Sequence, residues 1–326
     1  MPDEAGHAPP MTSVVIPCFN HGRFVAEAVR SCLDQAGSSI EVIVVDDGSD
    51  DGSTPAACDA LTGPGVRVLH QPNAGLPAAR NAGAKLAKGR FLVFLDADDW
   101  IERTFTATLG TLLDDNPEAS HAYCQERLTD LGNDVVWRVP AWDPILLMVT
   151  NLHPVTCLIR RDRFEAAGGF DESMTDGYED WDLWLRFASR GWHGVRCRQP
   201  LFNWRRHSQQ TMIDDAVTRH EALYHRLLEN HRAFFEAHAV DVAARANALL
   251  RRSDAHWIDE TGLPIELQYL HAVRDAYHGS GAIALARRVD GLVPGALRRL
   301  ARRFVARRSN TMDHPASQPR NKKPGA

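Results

Sequence analysis

The residues best suited to chemistry are Asp96, Asp98 and Asp99, which close the apolar run Phe91-Leu92-Val93-Phe94-Leu95. A run with no polar residue and no alternation reads as a strand covered on both faces, as in a parallel sheet. Ligands of open parallel sheets bind beyond the carboxyl ends of the strands. Asp96 and Asp98 are two apart, so on an extended chain they point to the same side. Two such carboxylates repel unless a proton or cation lies between them, which suits a hard divalent metal that also grips phosphate oxygens. The other reading is an acidic turn, since Asp favours turns and N-caps. Both stand open on this stretch alone.

Three more groups carry chemistry. Residues 40–45 form a second apolar run that ends on Asp46-Asp47-Gly48-Ser49; a strand-end position favours a ligand role for Asp46 and Asp47, whereas residues 50–53 read as a turn. Pro77 opens a helical stretch in which Arg80 and Asn81 lie within a turn of the N-terminus, where amides and the dipole favour an anion. A guanidinium there reaches a pyrophosphate; the plainer alternative is a solvated surface arginine. Further on, Glu179, Asp180 and Asp182 occupy the first turn of a helix beside Trp181 and Trp184. Dipole complementation accounts for some of these acids, while aromatic rings next to a carboxylate suit packing on a sugar as the carboxylate takes a proton. His207, beside Arg205 and Arg206, would complete a metal site begun by carboxylates.

The elements that must position these groups alternate. Strands are predicted at 13–17, 40–45, 66–69 and 91–95, with helices at 23–35 and 76–87, the pattern of a doubly wound α/β domain. No GxGxxG follows the first strand and no GxxxxGK[ST] loop occurs, which disfavours those two phosphate-binding designs. A nucleotide would instead be held through a bridging metal at the acidic strand ends. Beyond residue 100 the pattern becomes mixed: a helix at 101–113, short strands at 120–124, 135–139, 155–160 and 195–197, and a short helix at 161–167. From about residue 214 long helical periodicity takes over.

Composition bounds the class. The chain has 326 residues, 44% hydrophobic and 24% charged, as in an ordinary globular protein. A net charge of -5 argues against nucleic acid as a partner. The six cysteines are scattered without a CxxC pair, which predicts free thiols in a reducing compartment. Residues 1–11 lack the basic start and apolar core of a secretory leader, and no apolar run reaches the roughly twenty residues of a spanning helix, so the expected location is cytoplasmic. Residues 295–308 place Leu297, Leu300 and Phe304 on one side of a helix and arginine pairs around the rest. That pattern suits peripheral contact with an anionic membrane, and equally a solvated helix or a protein interface.

Taken together these residues resemble the family 2 glycosyltransferases with the GT-A fold. The resemblance covers roughly residues 12–212 and rests on the order of several motifs: Val14-Val15-Ile16-Pro17 with Asn20, Val45-Asp46-Asp47-Gly48-Ser49, Gly75 with Ala79-Arg80-Asn81-Ala82-Gly83, Asp96-Ala97-Asp98-Asp99, Gly168-Gly169-Phe170-Asp171, Glu179-Asp180-Trp181, and Arg205 to His207. It implies an α/β fold, a Rossmann-like mixed sheet flanked by helices, with a C-terminal helical appendage. The implied organisation is a disordered arm (1–11), the GT-A domain (12–212), a helical region (213–294), a basic amphipathic helix (295–308) and a disordered tail (309–326). The implied activity is inverting transfer from a nucleotide-diphosphate sugar to a glycan or lipid-linked acceptor, with Mg²⁺ or Mn²⁺, in envelope or surface glycan synthesis. By position, Asp180 would be the general base with Glu179 its neighbour. Asp98, Asp96 and His207 would serve the metal. Pro17, Phe19, Asn20, Asp46, Asp47, Arg80, Asp96, Ala97 and Trp181 would line the donor. Two alternatives compete: a catalytically silent nucleotide- or glycan-binding module of the same fold, and a metal-dependent nucleotidyl-type transferase, which leaves Glu179-Asp180-Trp181 unexplained.

Overall fold

The computed structural model describes residues 11–37, 39–129, 135–205 and 218–254. The chain divides into two units, Met1–Ala272 and Val273–Ala326, and every described residue belongs to the first. His207, the 295–308 segment, the 309–326 tail, nearly all of the 1–11 arm and much of the 213–294 region lie outside the described residues.

The first half is the alternation read from the sequence: β1 (Thr12–Cys18), α1 (Gly22–Leu33), β2 (Ile40–Asp47), α2 (Thr54–Asp59), β3 (Val66–Gln71), α3 (Leu76–Leu86) and β4 (Phe91–Phe94). The strands pair in parallel in the order β3-β2-β1-β4. Their unbroken apolar runs follow from burial on both faces. Val14, Ile16, Val42, Val44 and Val93 pack toward Val25, Ala28 and Cys32 of α1; Val15, Ile43, Val45 and Phe94 pack toward Ala79 of α3. Gly83 sets how closely α3 approaches, because a Cβ there would meet Val15 Cγ1 at 2.3 Å. Helix α2 has too short an apolar pattern to be legible in the sequence.

The second half turns the sheet mixed. After β5 (Trp100–Ile101) and α4 (Phe105–Asp114) come β6 (His121–Thr129), β7 (Val135–Trp137), α5 (Pro144–Leu147), β8 (Leu158–Arg160), α6 (Arg161–Ala167), α7 (Glu179–Ser189) and β9 (Gly194–Arg205). β8 runs antiparallel to β4 and β6, β9 runs parallel to β6, and β5 closes the order as β4-β8-β6-β9-β5. Two expectations change here. The helix placed at 101–113 starts only at Phe105, because Trp100 and Ile101 pair with Asn203 and Phe202. The strand placed at 195–197 runs on to Arg205 through irregular register at Gln125, which faces Pro200; a proline is tolerated at such a bulge.

Helices α8 (His220–Asn230), α9 (Arg232–Ala237) and α10 (Ala239–Asp254) complete the described chain. They pack into the domain: Tyr224, Leu227 and Phe235 join the core around Trp181 and Leu147, and the Tyr224 hydroxyl donates to the Met148 carbonyl at 2.6 Å. All six cysteines are free and buried, as expected. No described helix is long and apolar enough to cross a membrane.

Candidate active site

The acid edge forms where β4 ends. Asp99 N–H donates to the Asp96 carbonyl at 3.1 Å, closing a turn, and Ala97 is buried beneath it. Arg205, at the end of β9, holds this turn from outside. Its backbone N–H donates to Asp99 Oδ1 at 2.8 Å and its Nε to the Asp98 carbonyl at 2.9 Å. Its guanidinium also pairs with Glu27 and lies 4.6 Å from the Trp100 ring centroid. Asp99 is thus tied into the turn, and burial, followed by the charges of Asp98 and Asp96, pushes its carboxyl well above the usual range. Asp98 is nearly buried beside it, whereas the Asp96 side chain is 40% exposed.

Arg80 joins this edge to the far half of the chain. It is 1% exposed, so it is no solvated surface arginine. Nη2 donates to Asp96 Oδ1 at 2.7 Å, Nη1 donates to Glu179, and the guanidinium lies 5.5 Å from the Phe170 ring centroid. Burial opposes its charge, but Asp96 and Glu179 more than offset that, and its pKa is raised. The next residue repeats the link: Asn81 accepts from Phe170 N–H and donates to the Phe170 carbonyl, each at 2.9 Å. Helix α3 therefore clamps the approach to α7 at two adjacent positions.

The acids of the first turn of α7 diverge. Tyr178, in the left-handed region at φ 65°, sets the start of the helix. Asp182 accepts from Arg186 Nε at 2.8 Å and pairs with His231 Nε2 at 2.8 Å; burial opposes its charge, yet these partners hold its pKa below the ordinary value. Asp182 is structural. Glu179 answers Arg80. Asp180 accepts from Trp181 N–H at 2.6 Å and from Asn151 Nδ2 at 3.0 Å. Burial, and then the neighbouring Glu179 charge, push its carboxyl up to about 7, a value matched to taking a proton near neutral pH.

The aromatic residues of this helix require a correction. Trp181 and Trp184 are 2% and 0% exposed rather than turned toward a sugar. Trp181 Nε1 donates to the Leu147 carbonyl at 2.6 Å, and Trp184 stacks on His121 with centroids 4.7 Å apart. They form the apolar face of an amphipathic helix, a plain packing reason for aromatic residues at this spacing.

At the opposite end, Asp46 accepts from Ser49 N–H at 3.1 Å and pairs with His70 Nδ1 at 2.7 Å. His70 also meets Asp59, and hydrogen bonding to Asp46 and then Asp59 raises its pKa. Asp47 accepts from Gln71 Nε2 at 2.7 Å, Ala74 N–H at 3.0 Å and Gly75 N–H at 2.9 Å, which orders the loop into α3. Asn20, at φ 58°, accepts from the N–H groups of Asp50 and Asp51. Pro17 is buried within β1, and Phe19 stands 43% exposed at the rim.

No three His, Cys, Asp or Glu side chains are grouped to hold a metal among the described residues. Asp96 and Asp98 supply two carboxylates at one turn. That is the donor count with which magnesium-type ions are held when substrate phosphates and water fill the other positions, so the residues present fit a shared cation rather than an all-protein cage.

Residues 13–145 match the model of Glycosyl transferase family 2. Over that segment the chain is similar to the family 2 glycosyltransferases. Glycosyltransferase GlyG of Streptococcus pneumoniae is 42% identical over 102 residues, 30% of this chain and 34% of that one. The chain spans about a third or less of the length of such curated relatives, from 27% to 34%. Among solved structures, the mannosyltransferase PcManGT from Pyrobaculum calidifontis in complex with GDP-Man and Mn²⁺ has a TM-score of 0.55 at 18% identity, covering 85% of this chain and 88% of that one. TarS 1–349 of S. aureus in complex with UDP-GlcNAc has a TM-score of 0.53 at 17% identity, covering 70% and 72%. At these identities the likeness speaks for the fold, which is the mixed α/β GT-A type expected. Asp46, Arg80 and the 96–99 turn lie inside the matched family 2 segment. Glu179 and Asp180 lie beyond it, and Arg80 is what ties them to it.

Proposed function

We propose that the protein is an inverting glycosyltransferase that moves a sugar from a nucleotide-diphosphate donor to an acceptor hydroxyl. The observation that supports this reading is the Arg80 clamp, which ties Asp96 at the strand edge to Glu179, the chain neighbour of Asp180. In a single displacement the acceptor hydroxyl attacks C1 from the face opposite the diphosphate, so the base and the diphosphate site must come from different segments. Asp180 takes the hydroxyl proton as the new bond forms. Arg80 pairs with Asp96 and Glu179, while burial and the Glu179 charge make Asp180 the carboxyl poised near neutrality. The nucleoside lies along the edge formed by Asp46, Pro17 and Phe19.

Asp98 and Asp96 would hold a divalent cation, Mg²⁺ or Mn²⁺, together with diphosphate oxygens; His207 is the further ligand implied by the sequence. When bound, such an ion supplies positive charge to the leaving diphosphate. The bound GDP-Man with Mn²⁺, and the bound UDP-GlcNAc, of the two structural neighbours support donor and ion of this class. The acceptor is read as a glycan or lipid-linked hydroxyl of envelope or surface glycan synthesis, with the 295–308 segment as a peripheral membrane contact on the cytoplasmic side.

A thermal-shift panel of UDP-, GDP- and dTDP-sugars, with and without Mn²⁺ or Mg²⁺, tests the donor reading. A binder at about 100 times its Kd adds roughly 2.7 kcal/mol to the folded state. A metal-dependent rise with one nucleotide class is expected; no stabilisation by any of them overturns it.

A further inference from the structure

One carboxyl beside the candidate site makes no hydrogen bond and no ion pair among the described residues. Glu126 lies on β6, 8% exposed, opposite Trp137 of β7 and Phe202 of β9. Among the described residues the charges that act with it are acidic. Asp180 acts on it from the α7 side, and it acts on Asp99 at the turn after β4. The thiols of Cys124 and Cys157 share the same surroundings. Nearly every buried polar group in a folded protein has a partner, and an acid rarely stays buried without one. Among the described residues Glu126 caps no helix, closes no turn and answers no cation. Asn151, a partner of Asp180, presents a related feature: Nδ2 is bonded to Asp180 while Oδ1 is buried without a partner among the described residues.

We infer that Glu126 is a specificity residue that hydrogen-bonds a ring hydroxyl of the sugar being transferred. This rests on the reading of Asp180 as the base and of the 96–99 turn as the diphosphate side. In such a displacement the group that lies between base and diphosphate is the transferred sugar, and Glu126 is electrostatically coupled both to Asp180 and to Asp99 of the acid turn. A carboxyl that burial holds in its protonated form offers both a donor and an acceptor, which matches a pair of sugar hydroxyls. A site built to hydrogen-bond a hydroxyl rejects a sugar that lacks it, because the buried group is then left unpaired.

The test uses full-length protein with Glu126→Ala, Glu126→Gln and Glu126→Leu, and titrates UDP and GDP alongside UDP-GlcNAc, UDP-glucose and GDP-mannose. For whichever nucleotide sugar the wild type binds, Glu126→Ala is expected to weaken binding about tenfold or more while affinity for the sugar-free diphosphate stays within about twofold. Glu126→Gln is expected to recover part of the loss. Glu126→Leu, which removes a buried acid with no partner among the described residues, is expected to raise Tm while losing discrimination between sugars. A residue with only a structural role would lower Tm and weaken both ligand classes together. Equal effects on diphosphate and sugar conjugate, or no effect on either, overturn the assignment of Glu126 and leave the transferase reading standing. Failure of the wild type to bind any of these nucleotides overturns both.

Discussion

Arg80 and Glu179 are separated by 99 positions in the chain and meet in a buried ion pair, with Asp96 on the other arm of the same guanidinium. Helix α3 supplies the cation, the end of β4 supplies one anion and α7 supplies the other. The three elements thereby share one electrostatic joint next to Asp180.

Removing that joint is predicted to be severe. Arg80→Ala leaves Glu179 buried without a counter-charge, and breaking a buried pair from one side costs about 3–5 kcal/mol. Arg80→Lys is expected to fall short of rescue, since an ammonium does not reproduce the two-armed guanidinium geometry. Urea denaturation of the variants checks both; stability within about 1 kcal/mol of wild type for Arg80→Ala contradicts the joint.

The pH dependence follows from Asp180. Its carboxyl, pushed up to about 7, must be ionised to take a proton, so kcat/KM is expected to rise with pH and level off above that value. The stability sign is opposite. The folded carboxyl retains a proton that the unfolded one has released, so its contribution to stability falls as pH rises from about 4 to 7. Asp180→Asn is expected to remove that slope from the stability profile. Glu179→Gln removes one of the charges that raise Asp180 and is expected to move the acid limb of the activity profile to lower pH; an unmoved limb contradicts the coupling.

How much of this was legible depends on whether the signal is local. The strands β1, β2 and β4 were readable because burial on both faces leaves uninterrupted apolar runs, and their acidic ends were readable as breaks in those runs. Strand β9 was only partly readable, because Pro200 and the irregular register at Gln125 interrupt its pattern. The His70 contact with Asp46 depends on which residues of β2 and β3 stand opposite each other, a register relation invisible in composition. The sequence offers Arg80 either as a pyrophosphate contact or as a surface cation, and its ion pairs are illegible there because both partners are distant in sequence. Trp181 and Trp184 looked like sugar platforms because a helix's buried face and a ligand-facing stripe carry the same residue types. The ties of Arg205 to Asp98 and Asp99 and of Asn151 to Asp180 carry no signal in either segment alone.

Arg205 is predicted to matter for nucleotide binding through the turn it holds. Side chains that orient metal-ligating carboxylates are worth roughly 10–100-fold in metal affinity. Arg205→Ala is therefore expected to weaken Mn²⁺-dependent nucleotide binding by about that factor and to leave metal-free binding nearly unchanged. Calorimetric titration with and without Mn²⁺ separates the two; equal losses in both conditions contradict the role.

A purely structural prediction concerns α3. A Cβ at position 83 would sit 2.3 Å from Val15 Cγ1, so Gly83→Ala must push the helix off the sheet or displace Val15. Overpacking of this kind costs about 1–3 kcal/mol. Because α3 carries Arg80, the same substitution is expected to lower transfer as well, which thermal melts and a turnover assay check together.

The most direct measurement of the central claim compares wild type with Asp180→Asn, following sugar transfer and nucleotide-sugar binding in the same preparation with a divalent ion present. Binding is predicted to be retained, and transfer to fall by about 10²–10⁴-fold. Transfer that persists in the variant, or binding lost together with transfer, would contradict Asp180 as the base.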